Sequence, residues 1–507
     1  MSRVVLDGRS LTRAQVAAVA AGAPVALDPA ARERVAASRA VVERRASGPE
    51  PLYGINTGFG SFAEVRIEPD ALDALQVNLL RSHAAGVGDP MPVPAVRAMM
   101  ALRANVLARG HSGISPAVLD ALIALLNAGI HPRVPCRGSV GASGDLAPLA
   151  HLGLALIGEG EVLTADGRVE PAIDALRRAG LAPIRLGPKE GLALVNGTQA
   201  STAVLALATV AFERVIRAAD AAAALSIDAL RGSTRPFDAR IHDARPHPGQ
   251  IASAAVIRRL MAGSPINASH ADCGRVQDAY SERCAAQVHG AVRDALAFVA
   301  RTVDIEANAS TDNPMVFAAD DAILSGGNFH GAPVGLAADV LAIACAQLAT
   351  ISERRADRLV NPATSGLPPF LTRHGGLESG LMMAQVTAAA LASELKTLAH
   401  PASVDTIPTS GNREDHVSMS MHAALKAARA VELTRTVVAV ELLCACDAVD
   451  LLAPLRTSPA LEAVREVVRA RVPARDGDRP PAPDIAALAA AIDEGALDHI
   501  LRDVVNR

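Results

Sequence analysis

A mainly α protein is predicted, with a loop-rich N-terminal domain over 1–198 followed by a long-helix bundle over 199–507, and three observations carry that reading. The first is a run from Gln199 to Arg231 containing neither glycine nor proline; at 1.5 Å per residue an unbroken helix there would be about 50 Å long. The second is the recurrence of such runs at Leu336–Val360, Leu381–His400 and Asp415–Ala453. The third is their composition, alanine interleaved with leucine and valine, as in TAVLALATVAFERVIRAADAAAALSIDAL. Small faces of this kind let neighbouring helices approach closely in a bundle, and a lone alanine-rich helix would be marginal without that packing.

Taken in order, LDGRSLTRAQVAAVA, from Leu6, reads as a short strand, a turn and a helix. Glycine and proline then recur every few residues, and the helical stretches are short: VRAMMALRANVLARG at 96–110 and AVLDALIALLNAG at 117–129. The long runs follow. Near the end, RVPARDGDRPPAPDIAALAAA is a proline-rich connector leading into a last helix, and no internal repeat is visible.

At 507 residues the chain can form two or three average domains or one large helical body and bury a sizeable core. No uncharged apolar run reaches the eighteen or so residues of a membrane span. Three arginines ahead of AQVAAVAAGAPVAL mimic a signal peptide, but Asp7 interrupts the charged part and the strand–turn–helix reading fits better. The six cysteines (136, 273, 284, 345, 444, 446) show no CxxC spacing, so a reducing cytoplasm is the expected location. A formal net charge of -4, with both signs scattered, gives no basic face for nucleic acid and no polybasic membrane anchor. No HExxH or Cys/His spacing appears among the fourteen histidines, so no metal is expected and small-molecule chemistry is the default. Lysine (189, 396, 426), tyrosine (53, 280) and tryptophan (none) are rare, which makes a specific need more plausible where the first two remain.

The most informative segment is GSVGASGDLAPLAH at 138–151. Its plain reading is a glycine-rich turn in which Ser143 or Asp145 caps a helix beginning near Leu146, with Pro148 in the first turn. Ala142-Ser143-Gly144 is chemically special, however. If a tight turn brings the Gly144 nitrogen onto the Ala142 carbonyl carbon, the backbone can cyclise and lose water, and Ser143 can lose a second water to leave an exocyclic methylidene. The product is 4-methylidene-imidazol-5-one (MIO). Glycine leaves its own nitrogen unobstructed, alanine is small, and serine carries the hydroxyl that departs. Asp145 would be a nearby acid/base or hydrogen-bonding group.

Around that tripeptide stand YGINTGFG (53–60), NLLRSHAAGVGDP (78–90), KEGLALVNGTQ (189–199), RVQDAYSERCAAQV (275–288), STDNPMVF (310–317), SGGNFHG (325–331) and ASVDTIPTSGNREDHVSM (402–419). In content and order they resemble the motifs of the histidine and aromatic amino-acid ammonia-lyase family, over essentially the whole chain. The resemblance implies a fumarase/aspartase-like helical fold, MIO formed from residues 142–144 with no external cofactor, non-oxidative elimination of ammonia from an amino acid, and a homotetramer whose active sites are shared between subunits.

It also implies residue roles, each beside a plainer one. Tyr53, in a glycine-flanked loop, is a half-buried aromatic or, by resemblance, the base that removes the β-proton. Arg283 follows Tyr280 by three residues, so on a helix the two share a face. It is either an exposed ion-pairing residue or the bidentate anchor of the substrate carboxylate, with Tyr280 and Gln277 nearby. Asn196 is an Asn-Gly turn residue or a contact to the cofactor carbonyl or the substrate. Phe329 is packing or a wall over the substrate ring. His83 is structural, and Glu414 belongs to a charged helix start; alternatively the two surround an imidazole. Ser-His-Ala at 82–84 and the glutamate at 414 look like histidine-specific members, which makes L-histidine the expected substrate and phenylalanine or tyrosine, or an aminomutase reaction, the alternative. The chain departs from the family's usual pattern at Leu395, where asparagine is frequent, at Arg413, where glutamine is common, and at YSERC, where YSLRC is usual.

Overall fold

The structure, a computed structural model, describes residues 2–164 and 166–506. Its chain divides into two compact units: one formed by Met1–Val210, Ala300–Asp339 and Pro401–Lys426, the other by Ala211–Val299, Val340–His400 and Ala427–Arg507.

The first unit opens with the strand Val4–Leu6, which pairs in parallel with Val25–Leu27. Between them lies the helix Arg13–Ala20, started by a capping box in which Thr12 and Gln15 satisfy each other's backbone N–H groups. That helix packs on Val93–Ala108, a helix buried on nearly every side. Leu72–His83, Leu146–Leu156 and Glu190–Val195 pack on one another. Short antiparallel pairings join Val87–Pro90 to Pro135–Arg137, and His131–Pro132, Glu161–Leu163 and Val169–Pro171 form a three-stranded set.

The second unit is built on long helices. Gln199–Ala229, Ala285–Glu306, Ala332–Val360 and Ser420–Leu451 run through the boundaries between the units, and Met382–Leu398 joins them. Ala221, Ala222, Ala223 and Ala224 are all fully buried, as the alanine-rich pattern requires. The helix Ala332–Val360 is apolar and long enough to cross a membrane by length and composition, but most of its apolar stretch is buried within the protein.

Three local features differ from expectation. The helix Ala285–Glu306 was hidden by Gly290, a residue counted as a breaker; a Cβ there would fall 2.4 Å from the Gln250 backbone, so glycine permits a close crossing. The run from Asp415 does not become helical until Ser420, because the preceding residues are pinned to the glycine-rich loop: Met419 donates its N–H to the Val140 carbonyl at 2.8 Å. After Pro481–Asp493 a further helix, Asp498–Asn506, ends the described chain.

Candidate active site

The loop over 138–145 is held by hydrogen bonds from several sides. Ser418 Oγ and the Gly331 N–H both donate to the Gly141 carbonyl, at 2.9 and 3.1 Å. On the other side Gly144 bridges to Gly197, and the Asp145 N–H donates to the Gly197 carbonyl at 2.7 Å. Only glycine is tolerated at 144: φ is +71°, and a Cβ would fall 2.2 Å from the Gly197 oxygen. Asp145, fully buried, stands at the start of the helix Leu146–Leu156 without capping it. Its carboxylate instead accepts from Ser139 Oγ and from Ser201 N and Oγ, each at 2.8 Å. Burial pushes the Asp145 carboxyl upward against those donors.

Ala142 and Ser143 face a cavity of about 300 Å³ that also gathers Tyr53, His83, Asn196, Phe329 and Glu414. Ser143 Oγ donates to Glu414 Oε1 at 2.7 Å, while Thr409 Oγ1 and Ser410 Oγ donate to Oε2 at 2.6 and 2.8 Å. Burial would raise the Glu414 carboxyl; the hydrogen bonds from Thr409, Ser143 and Ser410, with His83 nearby, outweigh it and hold the group below its ordinary value. His83 ends the helix Leu72–His83, with Nδ1 2.9 Å from the Leu79 carbonyl. A carbonyl only accepts, so Nδ1 carries the proton and Nε2 of the neutral ring is left as an acceptor. Burial lowers the His83 pKa and favours that neutral form, although Leu79 and Glu414 pull the other way.

Tyr53 packs edge-on against Phe59, with ring centroids 6.3 Å apart, and its hydroxyl oxygen accepts the Gly60 N–H at 3.3 Å. Asn196 is buried: Nδ2 donates to the Asn313 carbonyl at 3.0 Å, and Oδ1 has no hydrogen-bond partner among the described residues. Its own carbonyl is gripped by Arg103 Nη1 at 2.8 Å.

Gln277, Tyr280 and Arg283 are not among the residues lining this cavity. In the second unit, Gln277 and Arg283 line a separate cavity of about 570 Å³ together with Arg231, Arg235 and Arg275. Tyr280 and Arg283 do share a face, the guanidinium lying 4.5 Å from the ring centroid, and Tyr280 is 71 % exposed.

Several residues were not legible as site residues. Thr409 and Ser410, which supply two of the three donors to Glu414, lie inside the 402–419 motif, but nothing in it singled them out. Arg413, Asp415 and His416 line the cavity, and His330 stacks on His416 with centroids 5.7 Å apart. Lys189 did carry a signal, its rarity. It is fully buried beside the site, donating to Asp312 Oδ2 at 3.0 Å and to the Ser112 carbonyl at 2.9 Å. Asp312 in turn precedes the Asn313 that orients Asn196.

Residues 11–470 match the aromatic amino acid lyase family. The chain is 57% identical over 507 residues to histidine ammonia-lyase of Anaeromyxobacter sp. (strain K), covering 98% of this chain and 100% of the relative. Among solved structures, histidine ammonia-lyase from Trypanosoma cruzi superposes with a TM-score of 0.92 at 43% identity, over 99% of this chain and 96% of that one. Tyrosine aminomutase from Streptomyces globisporus superposes with a TM-score of 0.93 at 39% identity, over 99% of each chain.

Proposed function

Because the chain belongs to the aromatic amino acid lyase family, we propose that it eliminates ammonia non-oxidatively from L-histidine to give trans-urocanate, the first step of histidine degradation. The observation that carries the substrate is the pairing of Glu414 with Ser143 in a cavity that also contains His83.

The loop fits the electrophile it would form. The space at Gly144 excludes any Cβ, and Asn196 holds an unsatisfied buried oxygen beside it. Formed from Ala142, Ser143 and Gly144, MIO supplies an electrophilic methylidene carbon that draws electrons from the substrate. The chain's own residues do the rest. Loss of the Ser143 hydroxyl removes the donor from Glu414 Oε1 and frees that oxygen for an imidazole N–H, while Thr409 and Ser410 keep Oε2 in place. His83 Nε2 offers a second acceptor, so the pair is matched in full by an imidazolium, which carries two N–H donors where a neutral imidazole carries one. Phenylalanine would leave both acceptors unpaired, at about 1–3 kcal/mol each, which is roughly ten- to hundredfold discrimination per group. Asn196 Oδ1 is free to accept from the substrate ammonium, and of the two N–H groups on Nδ2 one goes to the Asn313 carbonyl and the other can donate to the cofactor carbonyl. Tyr53 takes the β-proton, its oxygen held in place by the hydrogen bond from the Gly60 N–H.

Arg283 binds the substrate carboxylate, with Gln277 and Tyr280 beside it. Their absence from the Ser143 cavity, and the exposure of Tyr280, support a homotetramer in which these residues complete the site of another subunit. The six free cysteines suit the cytoplasm.

The test supplies L-histidine, L-tyrosine and L-phenylalanine separately and follows urocanate, coumarate and cinnamate by ultraviolet absorbance, with β-amino acid analysis to detect aminomutase products. Urocanate dominates on this account. Faster turnover of tyrosine or phenylalanine, or a β-amino acid as main product, overturns the substrate or the reaction.

A further inference from the structure

Glu282 stands where the family's usual pattern has leucine, and it is 1 % exposed. Its Oε1 accepts from Arg358 Nε at 2.8 Å, and its Oε2 has no hydrogen-bond donor among the described residues. Gly232 makes room for it, since a Cβ there would fall 2.9 Å from Oε2. A carboxylate buried with one partner costs several kcal/mol that a leucine in the same space would not. Packing therefore does not account for it.

What the pair does is tie down the adjacent turn. Tyr280–Arg283 is a single helical turn with no side-chain cap, joined through Cys284 to the start of the helix Ala285–Glu306. Two arginines one turn apart on the helix Ala332–Val360 reach it. Arg355, fully buried and paired with Glu441, donates Nη1 to the Ser281 carbonyl at 3.2 Å. Arg358 takes Glu282. On the near side the turn is joined to Asp278, whose carbonyl accepts from Arg283 Nε at 3.1 Å and whose carboxylate receives the Ser233 N–H at 2.7 Å and Arg275 Nη1 at 3.2 Å.

We propose that Glu282 and Arg358 form a positioning pair that fixes the Tyr280–Arg283 turn, so that Arg283 meets the substrate carboxylate in one orientation. The proposal rests on the reading of Arg283 as the carboxylate anchor. The pair acts through Arg283 and touches no substrate.

The experiment uses the intact assembled enzyme, wild type and the variants Glu282→Leu, Glu282→Gln, Arg358→Met and Arg283→Ala. The readouts are KM and kcat for L-histidine, with competitive inhibition by imidazolepropionate, which carries ring and carboxylate, and by imidazole, which carries the ring alone. Glu282→Leu and Arg358→Met raise KM and the imidazolepropionate Ki about tenfold, the equivalent of one charge-assisted hydrogen bond, and leave kcat and the imidazole Ki within about twofold. Glu282→Gln, which keeps an acceptor for Arg358, lies between these variants and wild type, and it keeps the question answerable if the larger changes fail to fold. If Arg283→Ala selectively weakens imidazolepropionate while every folded Glu282 and Arg358 variant weakens both inhibitors alike or neither, the positioning pair is refuted and the anchor stands. If Arg283→Ala itself leaves the two inhibitors unchanged, the anchor reading falls and this inference falls with it.

Discussion

Replacing Glu414 with glutamine removes one negative charge from the ring end of the cavity while conserving its shape. Once Ser143 has lost its hydroxyl the side chain keeps two hydroxyl donors, Thr409 and Ser410, and hydroxyls can turn to accept from the new amide, so the fold should tolerate the change. What is lost is the ionic character of the bond to the substrate imidazole. A hydrogen bond to a charged group contributes about 1.5–3 kcal/mol and a neutral one about 0.5–1.5, so the difference is near 1–1.5 kcal/mol, or roughly tenfold in kcat/KM. The assay is urocanate formation from L-histidine, run beside cinnamate formation from L-phenylalanine, with circular dichroism to establish folding. Glu414→Gln lowers kcat/KM for histidine about tenfold and leaves any phenylalanine activity unchanged or higher. An equal fall for both substrates, or none for histidine, would refute the assignment of Glu414 to the imidazole.

Mixing inactive Tyr53→Phe with inactive Arg283→Ala protomers restores activity in verified hybrid tetramers, because some sites then draw a sound tyrosine and a sound arginine from different chains; no recovery in such hybrids counts against shared sites. Lys189→Met strands the fully buried Asp312 carboxylate and costs about 3–5 kcal/mol in denaturant unfolding, with part regained in Lys189→Met/Asp312→Leu. His131, lowered from 6.5 to about 4 first by burial and then by Arg97, takes its proton in the unfolded chain before the folded one. Its contribution to stability is therefore complete above pH 6.5 and is lost as the pH falls toward about 4. His131→Gln flattens that part of the thermal-unfolding profile by less than about 1.4 kcal/mol per pH unit, the most that one fully buried proton site can give.

The long helices were legible because glycine and proline are penalised in helix interiors, and the same rule concealed Ala285–Glu306, where Gly290 is required by a close crossing rather than by a turn. The 415–419 segment misled for the opposite reason. It contains no breaker, yet Met419 and Ser418 are drawn out of helical geometry by hydrogen bonds to Val140 and Gly141, more than 270 positions earlier. The centre of the site was readable because cyclisation imposes steric demands on three consecutive residues, and the structure repeats those demands in the contact between Gly144 and Gly197. Its supports were not. Arg103 resembles the chain's many other arginines until its contact with the Asn196 carbonyl is seen, and Thr409 and Ser410 look like ordinary loop residues until Glu414 folds back on them. Lys189 was the exception, marked by its rarity and by its place at the start of the KEGLALVNGTQ motif.

The central claim is that Ala142, Ser143 and Gly144 become the electrophile, and intact-mass spectrometry of the purified protein tests it most directly. The account predicts a chain lighter by two waters than its sequence, with Ser143→Ala restoring the second of them at least and abolishing almost all turnover. A wild-type chain of full sequence mass that nevertheless releases urocanate at full rate would contradict it.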